Sequence, residues 1–380
     1  MRIEIPDRLT PTKAINFANY IEQCVEDNEY IYDFKNMQHC HPYGLLVIAS
    51  AIRNNKQRYP NANHRLEHVE DTQGGQFAAT FGLYQSIGHD VGWAKEERDI
   101  GYRYIPIKEI SASDLHQQYT DTTLLNEKVE RQSYELTDIL VADQPKTVRD
   151  AIQYCFREII RNTFEHGNTN SFWVCGQYWP TRNEAEIAIM DEGIGILKSL
   201  QSNSRISAKN CKEANLLALQ PGMSRMIGLK QDPMDIWQNS GYGLYVASTI
   251  CAMTEGYFII SSGDSAILIN NSEQSEYYAS QKGTTICLNI KINSKKLRDF
   301  DKTLEAIVSE GQKKAVDNGE KRILTASKVT TIASMVKHIE NNARIDAGDV
   351  VNTDIIVPRG TSVSFIIEDV NRKGEIIGKF

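Results

Sequence analysis

Between Thr147 and Gly167 the apolar residues Val148, Ile152, Cys155, Phe156, Ile159, Ile160, Thr163 and Phe164 recur at intervals of three and four. That period belongs to an amphipathic helix laid on a core. Pro145 and the Thr147/Asp150 pair mark its start, and Gly167 is a natural stop. Within it, "REIIRNTFEHG" sets Glu158, Asn162 and His166 at four-residue steps. A turn takes about 3.6 residues, so these three drift only about a quarter of the circumference over two turns. All three polar groups can therefore face one pocket. A solvated polar stripe produces the same pattern, and the helix alone does not choose between the two.

Three later segments bear on that choice. "SFWVCGQYW" (171–179) and "EAEIAIMDEGIGI" (184–196) alternate like adjacent strands joined by "PTRNE", and the second ends in Asp191, Gly193 and Gly195. A carboxylate at a strand end can accept from an amino group, and spaced glycines let the backbone approach a ligand closely. Taken alone, D-x-G-x-G reads as an ordinary turn. "NSGYGLYVASTICAM" puts Gly241 and Gly243 directly before a helical pattern, where free amides at a helix N-terminus hold phosphate. "KGTTICLNIKI" opens an alternating strand with Gly283, Thr284 and Thr285, so that a hydroxyl could bond to the acid or to a water beside it.

At 380 residues the chain is long enough for two or three domains. A net charge of −7 without a basic block argues against a nucleic-acid partner. The longest apolar stretch, "GLLVIASAI" from Gly44, is too short to span a bilayer, and "MRIEIPDRLT" has no leader pattern, so a cytoplasmic protein without a membrane partner is expected. The 7 cysteines are scattered and never spaced C-x-x-C, which suggests small buried hydrophobes rather than disulfides or a zinc ribbon.

The order E-x-x-x-N-x-x-x-H-G, D-x-G-x-G, G-x-G-L, G-T-T over residues 120–293 resembles the GHKL (Bergerat) ATPases: gyrase B subunits, Hsp-type chaperones, MutL proteins, sensor histidine kinases and anti-sigma serine kinases. The His-Gly ending of the first box and "EANLLALQPGMSRMIGLKQDPMDIWQNSGYGLYVAS" are most similar to the anti-sigma kinase branch. The resemblance implies a two-layer α/β sandwich with a mixed, largely antiparallel sheet, binding ATP and magnesium. It implies that Glu158 polarises the attacking water or hydroxyl, a role that suits phosphoryl transfer. Asn162 would be the metal ligand, its side-chain oxygen a hard donor for a hard cation. Asp191 would accept from the adenine amino group, with Gly193 and Gly195 closing around the base. Gly241 and Gly243 would admit the phosphates, and Thr284 would share the adenine–aspartate network. For His166, packing or support fits better than chemistry, since nothing in the sequence fixes a proton-transfer partner. The defining residues of P-loop proteins and of protein kinases are absent from the sequence.

Residues 1–115 read as a separate α/β unit. A helix in "LTPTKAINFANYIEQCVED", a buried strand ending near Asp33 and a helix from about Pro42 resemble a STAS domain, the module that anti-sigma kinases phosphorylate. Pro42 stands where STAS substrates carry serine and has no hydroxyl, so phosphorylation there is excluded and docking or sensing is expected. His39, Cys40 and His41 read as loop residues, because adjacent side chains rarely reach one ion together. Residues 71–88 read as turn and helix. The ATP-binding unit is expected over residues 116–295. An extension over residues 296–380 follows, with a charge-rich solvated helix or linker and two alternating strands in 350–370. The resemblance implies a regulatory protein that hydrolyses Mg-ATP as a conformational switch for protein partners, such as a STAS or sigma-regulatory protein, and a possible homodimer. A serine/threonine kinase of a partner protein and a nucleotide sensor without turnover are the alternatives.

Overall fold

The computed structural model describes residues 1–92, 103–111, 122–167, 169–203, 206–223, 241–271 and 273–317, and three short strands beyond them. The chain is mixed α/β, and no helix among the described residues is long and apolar enough to cross a membrane.

The N-terminal part runs β1 (Arg2–Glu4), β2 (Arg8–Leu9), α1 (Pro11–Glu22), β3 (Glu29–Asp33), β4 (His39–Cys40), α2 (Pro42–Arg58), β5 (Asn63–Glu67), α3 (Gln73–Thr80) and α4 (Leu83–Ser86). Strands β1, β3 and β5 pair in parallel with β3 in the middle. Parallel neighbours need crossovers, and α1 and α2 supply them. Pro11 and Pro42 each open their helix, where a missing N–H costs nothing. In 71–88, the Thr72 hydroxyl caps α3 by accepting from the Gly75 amide.

A five-stranded antiparallel sheet follows, built from β6 (Tyr104–Ser111), β7 (Ser171–Trp179), β8 (Glu184–Asp191), β9 (Tyr257–Asn270) and β10 (Glu273–Lys291), in the order β6-β7-β8-β10-β9. Strands β7 and β8 form the expected hairpin, whose turn is a short helix over Pro180–Arg182 closed by Asn183 in the left-handed region. Between the strands lie α5 (Thr122–Val141), α6 (Lys146–His166), α7 (Gly195–Gln201), α8 (Cys211–Ala218) and α9 (Gly243–Met253), and α10 (Phe300–Asp317) comes after them.

Every residue of β8 is buried, because both faces of the sheet are covered. Ala185, Ile187 and Ile189 point to the side of α6 and α9, and share a core with Ile152, Phe156, Ile160 and Val246. Ala188 and Met190 point the other way, into the core of α1 and α2. Cys175, Ala188 and Cys287 on that face are small, and small side chains let the N-terminal helices approach the sheet closely.

Three expectations change here. The sheet is antiparallel throughout its described strands and is sandwiched between two helical layers, because the N-terminal unit supplies the second cover. Strand β6, on the N-terminal side of the boundary expected near residue 115, is hydrogen-bonded to β7. Helix α10 is also more than a solvated helix: Phe300, Ile307 and Ala315 are buried, and Gly311 lies so close to Tyr242 and Tyr245 that a Cβ would stand 2.5 Å from the Tyr245 ring. Beyond it, β11 (Ile323–Thr325), β12 (Arg344–Asp346) and β13 (Ser364–Ile366) pair in parallel; the rest of 350–370 lies outside the described residues.

Helix α2 is fastened to β8 and to the residue directly after it. At its start, Glu186, fully buried, accepts from His41 Nδ1 at 2.9 Å, from the Tyr43 amide at 3.2 Å and from the Tyr257 hydroxyl at 2.6 Å. Farther along, Ser50 Oγ and Arg53 Nη2 each donate to Glu192 Oε1 at 3.0 Å. Glu186 thereby serves as the capping acceptor that His41, at the N-cap, does not provide.

Candidate functional site

Helix α6 starts at Lys146, one residue before Thr147, and ends at His166. Gly167 closes it, but with φ −72°, outside the left-handed region. Close packing explains the glycine instead: a Cβ there would lie 2.5 Å from the Thr163 carbonyl oxygen and 3.4 Å from Asp191 Cγ. The Gly167 carbonyl accepts from the Ile194 amide at 2.9 Å, pinning the loop after β8 to the end of α6.

Asn162, Asp191, Gly195, Gly241, Gly243 and Thr284 line one cavity, whose atom-free space is about 790 Å³ with the open solvent at its mouth included. Its apolar walls include Ile159, Ile189, Leu200 and Ile286. Residues that stand far apart in the chain meet there because α6, the end of β8, the start of α9 and the start of the inner part of β10 converge at one end of the sheet. Asn162 is half-buried, and among the described residues its carboxamide has no hydrogen-bond partner.

Asp191 is 5 % exposed. Its Oδ1 accepts from the Gly193 amide at 2.9 Å, and Thr284 is its partner in the antiparallel register. Burial pushes the Asp191 carboxyl up to about 6, partly offset by the amides of Gly193 and Thr284, while the neighbouring Glu192 adds to the rise. The Thr284 contribution thus comes from its backbone. Its hydroxyl lies 3.4 Å from Ser262 Oγ, a long contact.

The glycines have separate steric reasons. Gly193 lies against Gly167, where a Cβ would be 1.9 Å from the carbonyl oxygen. Gly195 and Gly241 have φ of +76° and +69°, a region unfavourable to other residues. At Gly243 a Cβ would stand 2.4 Å from Glu158 Oε2.

Glu158 therefore lies behind Gly243 and is not among the residues lining the cavity. It is 4 % exposed. Oε1 accepts from Arg157 Nη2 at 3.1 Å, and Oε2 from Arg161 Nη2 at 2.6 Å. Arg157 also pairs with Glu130 on α5 at 3.1 Å, so the carboxylate belongs to an ion-pair chain joining two helices. The side chain of His166 lies outside the described residues, as do residues 224–240 of the segment leading to Gly241.

Sequence reasoning missed Ser262. This buried residue of β9 donates from Oγ to the Gly283 carbonyl at 2.8 Å and accepts from the Ile196 amide at 3.0 Å, binding the D-x-G-x-G loop to the G-T-T strand. In "FIISSGD" it is one more strand serine, and nothing in its spacing singles it out. Asn215 of α8 is likewise fully buried and donates to the Ser265 carbonyl at 3.0 Å, fixing that helix beside β9.

No protein-family model, curated protein or solved structure matches the chain.

Proposed function

We propose that this chain is an ATP-binding regulatory protein of the GHKL type, whose N-terminal STAS-like unit carries the state of the nucleotide cavity to protein partners. One observation carries the reading: a carboxamide, a buried carboxylate and four glycines, drawn from distant segments, line the same cavity. The residues fit ATP with magnesium. Asp191 is an acceptor held at a strand end with an apolar floor of Ile189 and Ile286 nearby, which suits an adenine ring and its amino group. Asn162 offers a carbonyl oxygen that no described residue engages, suited to magnesium. Gly241 lies two residues before α9 and Gly243 opens it, and the N-cap Tyr242 makes no side-chain cap bond to its first amides, the groups that would meet phosphate. Magnesium, when bound, would neutralise charge on the phosphates.

Whether ATP is turned over depends on Glu158. Hydrolysis as a conformational switch requires this carboxylate to polarise water, which means leaving at least one of its arginines. The double arginine pairing favours a second reading, a sensor that holds ATP without turnover. Calorimetry with Mg-ATP on the full chain tests the common part: binding is expected, and no uptake would end the proposal. Radiolabelled ATP, with and without candidate partner proteins, separates the uses. Free phosphate supports the switch, a labelled partner a serine/threonine kinase, and neither the sensor. In the switch reading Glu158→Ala retains ATP binding and loses turnover; unchanged turnover would remove the role given to Glu158.

A further inference from the structure

A second concavity, about 1000 Å³ with the open solvent at its mouth included, lies where β2, the β4–α2 connection, α3 and the β7–β8 turn meet. It is distinct from the cavity holding Asp191, and the residues lining the two do not overlap. Arg8, His39, His41 and Arg182 supply the basic groups of its lining, and among the described residues no carboxylate lines it. Phe77 and Trp179 supply flat apolar surface.

The two arginines differ from His41, which is paired with Glu186. Arg8 and Arg182 form no salt bridge with any described residue, whereas Lys13 and Arg2 nearby are both paired with carboxylates. The Arg182 guanidinium stands 5.8 Å from the centre of the Trp179 ring, and the His41 ring 5.6 Å from it. His41 is held by Glu186 through Nδ1, which orients its ring and leaves Nε2 for other contacts. The Tyr43 amide at the start of α2 is already bound to Glu186, so the attraction for an anion comes from side chains.

We propose that this concavity binds a small phosphate monoester bearing a flat ring, its phosphate between Arg8 and Arg182 and its ring against Trp179 and Phe77. Guanidinium forks match phosphate oxygens in charge and geometry, and a ring stacked on Trp179 extends a contact that Arg182 and His41 already approach. This inference is independent of the nucleotide reading.

Titration calorimetry of the full chain with phenyl phosphate tests it, with inorganic phosphate as the control. Phenyl phosphate is expected to bind, about fivefold or more tighter than inorganic phosphate, because the ring buries apolar area. Arg8→Gln and Arg182→Gln are expected to weaken it separately, and together by about tenfold or more, with unchanged melting temperature because both side chains are exposed. Asp191→Asn should leave it unchanged. No binding to the native chain, full binding by the double arginine variant, equal affinity for inorganic phosphate, or loss in Asp191→Asn would each overturn the assignment.

Discussion

Arg53 of α2 reaches across the seam to Glu192, the residue directly after Asp191, with its Nη2 3.0 Å from the carboxylate and its guanidinium 4.0 Å over the Trp173 ring. The N-terminal unit thus touches the strand end that carries the buried acid of the cavity. Since Arg53 is 13 % exposed, the pair is partly desolvated. Arg53→Ala is expected to destabilise the chain by about 2 kcal/mol through the unpaired Glu192 and the lost stacking. Arg53→Lys should recover only part of this. Denaturant unfolding checks both, and an unchanged midpoint for Arg53→Ala would refute the coupling.

The raised pKa of Asp191 sets a sign for the response to pH. An acid whose folded value lies near 6 instead of its usual 3.8 favours the protonated folded state. Its stabilising contribution is therefore complete below about pH 4 and is lost as pH rises through about 6, by roughly 2–3 kcal/mol. In Asp191→Asn that loss should disappear from the stability profile. Binding of adenosine, used to avoid titration of phosphate, should show the opposite trend and weaken as pH falls through 6, because the neutral acid accepts less well. A flat affinity from pH 5 to 8 would count against the adenine role.

Gly243 and Glu158 form a steric pair that a double-mutant cycle can measure. Gly243→Ala should cost about 1–3 kcal/mol, because its methyl would collide with Glu158 Oε2. In a Glu158→Ala background the same change should cost distinctly less. Additive effects in urea unfolding would mean that the two side chains do not meet.

His41 supplies a second pH signature. Burial lowers the affinity of the imidazole for a proton, but the hydrogen bond and charge of Glu186 outweigh it, and the pKa is raised. The stability it contributes is then present below about 6.5, the usual histidine value, and is lost as pH rises through the higher folded value. Glu186→Gln should remove this decline and destabilise the chain at pH 6, with the difference from the native chain narrowing toward pH 8. Parallel profiles of the two proteins would show that the pair does not titrate as a unit.

Much of the fold could be read along the chain. The period of three and four after Lys146 gave α6 to within a residue, and alternation with "PTRNE" between gave the β7–β8 hairpin, because each signal is local and repeated. Gly195 and Gly241 were singled out along the chain for approach to a ligand, whereas their positive φ, a further reason for glycine, emerged only from the structure. Helix α10 was underestimated: its charges dominate its composition, while its burial depends on a partner, the Tyr242 and Tyr245 surface, that lies far away in sequence.

The sequence by itself determined which residues carry polar chemistry in an apolar setting: Glu158, Asn162 and Asp191 stand out because helix and strand periods place them against the pattern of their neighbours. Only the tertiary structure decided what each one meets. It put Asn162 and Asp191 at one cavity, turned Glu158 behind Gly243 toward two arginines, brought in Ser262 unannounced, and set α2 across the far face of the sheet. The division has a physical cause: backbone periodicity is written in neighbouring residues, whereas a carboxylate's partners depend on contacts between segments far apart in the chain, which no local pattern encodes.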